Sequence, residues 1–210
     1  MLDVHPPHHP THTWKDFFIH IATITVGLLI AVGLEQTVEY FHHRHQLQKA
    51  REEIRDDIDS NRRATVLQLE GIHQVQAELS DDTARLLAHR VNGQPLTGRL
   101  RFDWNFRRTR SAAYTLNKQS GALEPMPHRE LVQYDYVFNV AQAVMDSAAV
   151  WETDLGIAKA IAARSPEGAL SAQDTNELIT AISNTEGALD HTERLIAFEQ
   201  GALSDVSLDH

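Results

Sequence analysis

Between Asp16 and Glu35 the chain runs through "FFIHIATITVGLLIAVGL", Phe17 to Leu34, with no Asp, Glu, Lys or Arg and with His20 as the one ionisable residue. Such a run is about the minimum that crosses a hydrocarbon core of ~30 Å. Three structures bury it: a core helix, a cleaved export signal, or a membrane anchor. Core helices are seldom apolar for so long. A cleaved signal needs a basic leader, a shorter apolar stretch and a small-x-small site. Only Lys15 precedes this run, and Ala31-Val32-Gly33 is a poor site. The expectation is a transmembrane anchor over residues 14–41, with the lipid bilayer as its partner.

The flanks agree. Trp14, Phe17 and Phe18 stand at one end and Tyr40 and Phe41 at the other, as in an interfacial aromatic belt. On a helix Trp14 and Tyr40 are roughly 39 Å apart, close to the interface-to-interface thickness. Glu35 would reach headgroups from the edge of the slab. Thr23, Gly27 and Ala31 recur every fourth residue. They form a small-xxx-small face on which a second copy could pack. Lys15 alone precedes the anchor, whereas Arg44, Lys49, Arg51 and Arg55 follow it. That bias favours a cytoplasmic C-terminal side, but long domains translocate regardless of it, so the side stays open.

Charge and composition narrow the remainder. A formal net charge of -10 argues against nucleic acid as a partner, since phosphate binding needs a basic face. Zero cysteines exclude disulfide frameworks, thiolate metal sites, thiol catalysis and a lipidated cysteine anchor.

The tail over residues 1–12, "MLDVHPPHHPTH", is Pro- and His-rich and should be irregular. After the anchor, residues 42–93 read as a charged helical stalk. Leu47, Ala50, Ile54 and Ile58 make a narrow apolar stripe among solvated charges, suited to a short coiled coil. Leu47 and Ile54 would thus join Thr23, Gly27 and Ala31 in a homodimer seam. The seam weakens at Asn61 and Thr65, then resumes at Val66, Leu69, Ile72, Leu79, Leu86 and Leu87. "VNGQP", Val91 to Pro95, stops the helix.

Residues 94–210 then read as a helical bundle packing with the end of the stalk. "RLRFDWNFRR", Arg99 to Arg108, alternates apolar and polar residues, as an extended segment laid over a core does. A short helix is expected near Ser111 to Gln119, a long one from Pro127 to Ala163, and a last one opened by "SAQD", Ser171 to Asp174. The predicted fold is all-α: a transmembrane helix continuing into a long helical stalk, then a small antiparallel bundle.

Histidines cluster at His5, His8, His9 and His12, and again at His42, His43 and His45. His42 and His45 share a helix face and are the weak candidates for a metal. A spanning anchor would separate the two clusters, so interfacial or incidental histidine is the plainer reading, and no metal or cofactor is assigned. Glu39-x-x-His42 and Glu70-x-x-His73 match the di-metal bundle pattern. On one helix they lie roughly 46 Å apart and share no ion. Arg99, Arg101, Arg107, Arg108 and Arg110 are expected to pair with acidic neighbouring helices. No phosphate loop, His-Glu-x-x-His helix or nucleophile elbow is present, so no catalytic residue is named and the chain does not read as an enzyme.

The runs "WKDFFIHIATITVGLLIAVGLEQTVEYFHHRH", "RTRSAAYTLNKQSGALEPMP" and "LVQYDYVF" resemble an uncharacterised group of bacterial single-pass membrane proteins. Those proteins pair a short tail and one anchor with a charged helix and a small helical domain. Many end a short helix in Ser-Gly-x-Leu before Met-Pro, as Ser120 to Leu123 and Met126-Pro127 do here. They often carry Trp just after the anchor, where this chain has Tyr40. The resemblance implies a bacterial inner-membrane location and transfers no activity. The first functional expectation is therefore a membrane-anchored interaction, scaffold or sensor-like module with an unidentified protein partner. A metal-handling membrane protein comes second and a bundle enzyme third.

Overall fold

A computed structural model of the chain describes residues 14–164 and 170–206. The chain divides into two compact units at Gln48–Lys49. Helix α1 (Trp14–Asn92) contributes to both, and α2 (Ala112–Gln119), α3 (His128–Ala162) and α4 (Ala172–Asp205) belong to the second. The described residues hold no strand, and the fold is all-α as predicted.

In the first unit the helix holds "FFIHIATITVGLLIAVGL" without a break. The segment is long and apolar enough to cross a membrane, and none of it is buried among the described residues. Two hydroxyls of this unit bond back to their own helix: Thr23 Oγ1 donates to the Ile19 carbonyl at 2.8 Å, and Thr37 Oγ1 to that of Gly33 at 2.7 Å. Back-bonding of this kind satisfies these two hydroxyls without a partner outside the helix.

The second unit is a bundle of α1 from Lys49 onward, α3 and α4, in which α4 runs antiparallel to both α1 and α3. Buried positions along α1 fall at three- and four-residue steps: Ala50, Ile54, Ile58, Asn61, Thr65, Gln68, Ile72, Val75, Leu79, Asp82 and Leu86. That is a heptad-like seam. Val66 and Leu87 fall off it and are exposed. On α3, Val144, Ala148, Trp151, Leu155 and Ile161 join Leu178, Ile182, Leu189 and Ile196 of α4 in the same core. The Ser147 and Thr192 hydroxyls, 2.7 Å apart and buried, tie the α3–α4 pair.

Here one expectation needs correcting. Residues 49–92 are a wall of the bundle, not a free stalk with an uncovered stripe. Ile54 and Ile58 are wholly buried within a single copy. A seam with this period says that the face is covered; it does not say by what.

The helix ends follow their local signals. Gly93 at φ 65 closes α1, its N–H donating to the His89 carbonyl at 3.0 Å, a left-handed cap that glycine takes without steric cost. Pro127 is the N-cap residue of α3, one position before the helix proper. Ser171 caps α4 by accepting from the Asp174 N–H at 3.0 Å, as "SAQD" predicts.

Candidate membrane segment and the strap along α1

The small-residue face of the first unit is open. A side chain built on Gly27 or Gly33 would meet nothing within 4 Å. The flanking aromatics are all exposed, Trp14 at 78 %, Phe17, Phe18, Tyr40 and Phe41 at 54–62 %. They cluster at each end, with ring centroids 6.0 Å apart for Trp14–Phe17 and 5.8 Å apart for Tyr40–Phe41. Leu47, by contrast, is buried. Of the predicted pairing residues, Thr23, Gly27 and Ala31 are therefore available to a second copy, and Leu47 and Ile54 are not.

The His42 and His43 rings lie 6.2 Å apart, and each engages a different neighbour. His42 Nε2 lies 2.8 Å from the Gln46 amide nitrogen, and Glu39 pairs with His43 at 3.6 Å rather than with His42. His73 pairs with Glu193 across the bundle at 3.0 Å. Among the described residues no group of three or more His, Asp or Glu is placed to hold a metal ion. His5, His8, His9 and His12 lie outside the described residues.

In the second unit the most built feature is the connection from Gly93 to Ser111, here called the strap. It runs antiparallel to α1 without regular secondary structure. Alternation fixes which side faces in: Phe102 and Phe106 are buried and Trp104 half-buried, whereas Arg101, Asp103, Asn105 and Arg107 are exposed. Trp104 and Phe106 set their rings 6.0 and 5.5 Å from that of Trp151, which is wholly buried.

A strap has a backbone to satisfy, and side chains of α1 satisfy it. Asn61 both donates to the Arg110 carbonyl at 2.8 Å and accepts from the Arg110 N–H at 2.7 Å. Gln68 donates to the Arg107 carbonyl at 2.7 Å. Asp82 accepts from the Arg101 N–H at 2.9 Å, and Arg85 donates to the Thr97 carbonyl at 2.7 Å. Asp57 accepts from the Ala113 N–H at 3.0 Å, where its charge also meets the positive end of α2. Asn61, Gln68 and Asp82 interrupt the apolar pattern of α1 because the strap's backbone, not another helix, lies over them.

Gly71 completes the strap. A Cβ there would stand 1.8 Å from Cη2 of Trp104, so the indole sits directly on the bare helix backbone. Its role was hidden in the sequence, where Gly71 reads only as a poor helix former.

The arginines of the strap divide. Arg101 pairs with Glu78 at 3.5 Å and Arg108 with Glu152 at 2.7 Å, as expected of a salt-bridged face. Arg99, Arg107 and Arg110 serve through their carbonyls. Beyond the strap, α2 is fixed to α3 through Asp135, which accepts from Tyr114 and, at 2.5 Å, from Lys118. Hydrogen bonds from Lys118 and then Tyr114 hold the Asp135 carboxyl below its usual range, while burial pushes the Tyr114 phenol up. Arg51 clamps the start of α3 with a two-bond contact to Glu130, at 2.7 and 2.5 Å.

One buried group was missed from the sequence. The core positions of α4 are Thr175, Leu178, Ile182, Thr185, Leu189, Thr192, Ile196, Glu199 and Leu203, alternating steps of three and four. Glu199 thus occupies a core site and is wholly buried. Among the described residues neither of its carboxyl oxygens has a hydrogen-bond partner, nor does Oε1 of the buried Gln68. Burial raises the Glu199 carboxyl to about 7, since a low-dielectric interior disfavours the charged form. The heptad register, carried past Ile196, was the signal that could have found it.

Compared with protein-family models, with curated proteins and with solved structures, the chain matches none of them.

Proposed function

We propose that the chain is a membrane-anchored helical interaction module of the bacterial inner membrane. The span holds it at the bilayer and the bundle presents a surface to a protein partner. The carrying observation is that the apolar segment Phe17–Leu34 is covered by none of the described residues, while the bundle closes its own core. A contiguous apolar surface of that size is not sustained in water and marks contact with lipid or another protein. The aromatic rings at its two ends support lipid, and the resemblance in sequence supports a bacterial single-pass protein. The interaction half of the reading draws on α3, where Tyr136, Val150 and Ile157, spaced by multiples of seven, stay 50–56 % exposed. The module is assigned no reaction.

Alkaline extraction of membranes from cells expressing the tagged full chain tests the anchor. The chain is expected to stay in the membrane pellet and to be released by detergent. Release by alkali alone overturns the reading. Protease treatment of spheroplasts then reports the side: digestion of a C-terminal tag places the bundle in the periplasm, and protection that detergent removes places it in the cytoplasm.

A further inference from the structure

Glu199 stands in a layer of the bundle that is polar but incompletely paired. Gln200 donates to Thr65 Oγ1 at 3.4 Å and Arg62 to the Leu203 carbonyl at 2.7 Å, which sets Glu199 level with residues 64–68 of α1. The Ser147–Thr192 contact sets the other register: one heptad further along α4 and one back along α3, Glu199 stands level with Val140 and Ala141. Ala64 and Ala141 are buried and small, and Thr65 and Gln68 are buried and polar. An ionised carboxylate in such a layer needs donors, and its oxygens have none. A neutral acid brings one O–H, and the leftover Gln68 Oε1 is an acceptor of the right kind.

The neighbouring charges do not change this. Arg62 is engaged by Asp59 at 2.9 Å and by the carbonyls of Leu203 and Val206. On α3, Asp135 is held by Lys118, Asp146 bonds Gln142 at 2.8 Å, and burial keeps the Tyr134 phenol protonated. Arg63 on α1, Arg107 and Arg110 on the strap and Arg194 on α4 are exposed. Burial is the single cause acting on Glu199.

We propose that Glu199 is a proton-operated latch: as a neutral acid it keeps the last two turns of α4 on α1, and on losing its proton it drives those turns out to water. The end of α4 is the segment placed to move. Glu199 lies six residues before Asp205, the last residue of the helix, and short terminal openings cost least. Their hold on α1 is the pair of contacts from Arg62 and Thr65 together with the buried Leu203 and Val206. The latch does not depend on the anchor or on any partner.

The absence of cysteine makes the test direct. Ala202, buried on α4, is replaced by Ala202→Cys in the full chain held in detergent micelles. Thiol labelling is followed from pH 5.5 to 8.5, each rate divided by that of the denatured chain. Protection is expected to fall about thirtyfold across this range, the opening being linked to one proton. With Glu199→Gln added, it is expected to stay flat. Amide exchange over residues 200–205 gives the same comparison without the cysteine, should Ala202→Cys disturb the helix. Infrared spectra should show a protonated carboxyl that titrates near neutrality and is missing from Glu199→Gln. Equal pH slopes in the two backgrounds, or a carboxyl already ionised at pH 5.5, overturn the latch.

Discussion

Residues 17–34 and residues 49–92 are two stretches of one helix. In the first, apolar side chains run all round it and are exposed; in the second, they keep to one seam and are buried. The first has the pattern of a helix whose solvent is itself apolar. The second is a bundle helix, but its seam is not purely apolar: Asp57, Asn61, Thr65, Gln68 and Asp82 are buried in it. The contrast shows that polarity on a helix face reports the chemistry of what lies opposite. The strap brings N–H and carbonyl groups that Asn61, Gln68 and Asp82 meet, and among the described residues no such backbone lies along the first stretch.

The comparison is broken most sharply by a matched pair of truncations. Ile54→Ala should destabilise the bundle by about 3 kcal/mol, within the usual range for a buried aliphatic side chain, and lower its melting temperature in micelles. Leu28→Ala, in the exposed half, should leave that melting unchanged. Equal losses would mean that the two stretches share one core. The next effect is set by pH. Between the ordinary glutamate value and about 7 the folded chain binds more protons at Glu199 than the unfolded chain. Stability from this site is therefore full below that window, falls as pH rises through it, and is lost above it, by about 3 kcal/mol. Denaturant titrations at pH 5 and pH 8 should show this slope in the parent and not in Glu199→Gln.

Gly71→Ala should cost about 2 kcal/mol, because the indole of Trp104 must leave the helix surface. Tryptophan fluorescence should shift to the red as the ring meets water. An unchanged emission and melting point would mean that the strap has slack. Asn61→Ala, which strips both bonds from Arg110, should cost roughly 1–2 kcal/mol and raise amide exchange at Arg110. The smallest effect on the fold is expected from Gly27→Leu, whose added Cβ meets none of the described residues within 4 Å. Bundle melting should not move, and self-association in membranes should fall if the small-residue face pairs two copies.

Much of this was legible in the sequence because the signals were local. Asn92-Gly93 ended α1, Ser171 and Asp174 opened α4, and the alternation of Phe102, Trp104 and Phe106 fixed an extended segment. The uncharged run Phe17–Leu34 marked, among the described residues, the stretch long and apolar enough to span a membrane. What stayed hidden depended on who meets whom. The stripe at Leu47, Ile54 and Ile58 fits a partner copy and a neighbouring helix equally well by period, and only the fold tells them apart. Asn61 and Thr65 looked like the fading of a seam, whereas they are its polar contacts. Gly71 and Glu199 carried no visible signal beyond register, since each acts through a residue distant in the chain.

The most direct test uses the native tryptophans, Trp14, Trp104 and Trp151. The full chain is reconstituted into vesicles whose lipids carry bromine on the upper acyl chain, and the emission is compared with that in plain lipid. Trp14 is predicted to be quenched, leaving the emission of Trp104 and Trp151, and Trp14→Phe should abolish the loss. Emission that bromine leaves untouched, or quenching that persists in Trp14→Phe, would contradict the division of α1 between lipid and the protein's own core.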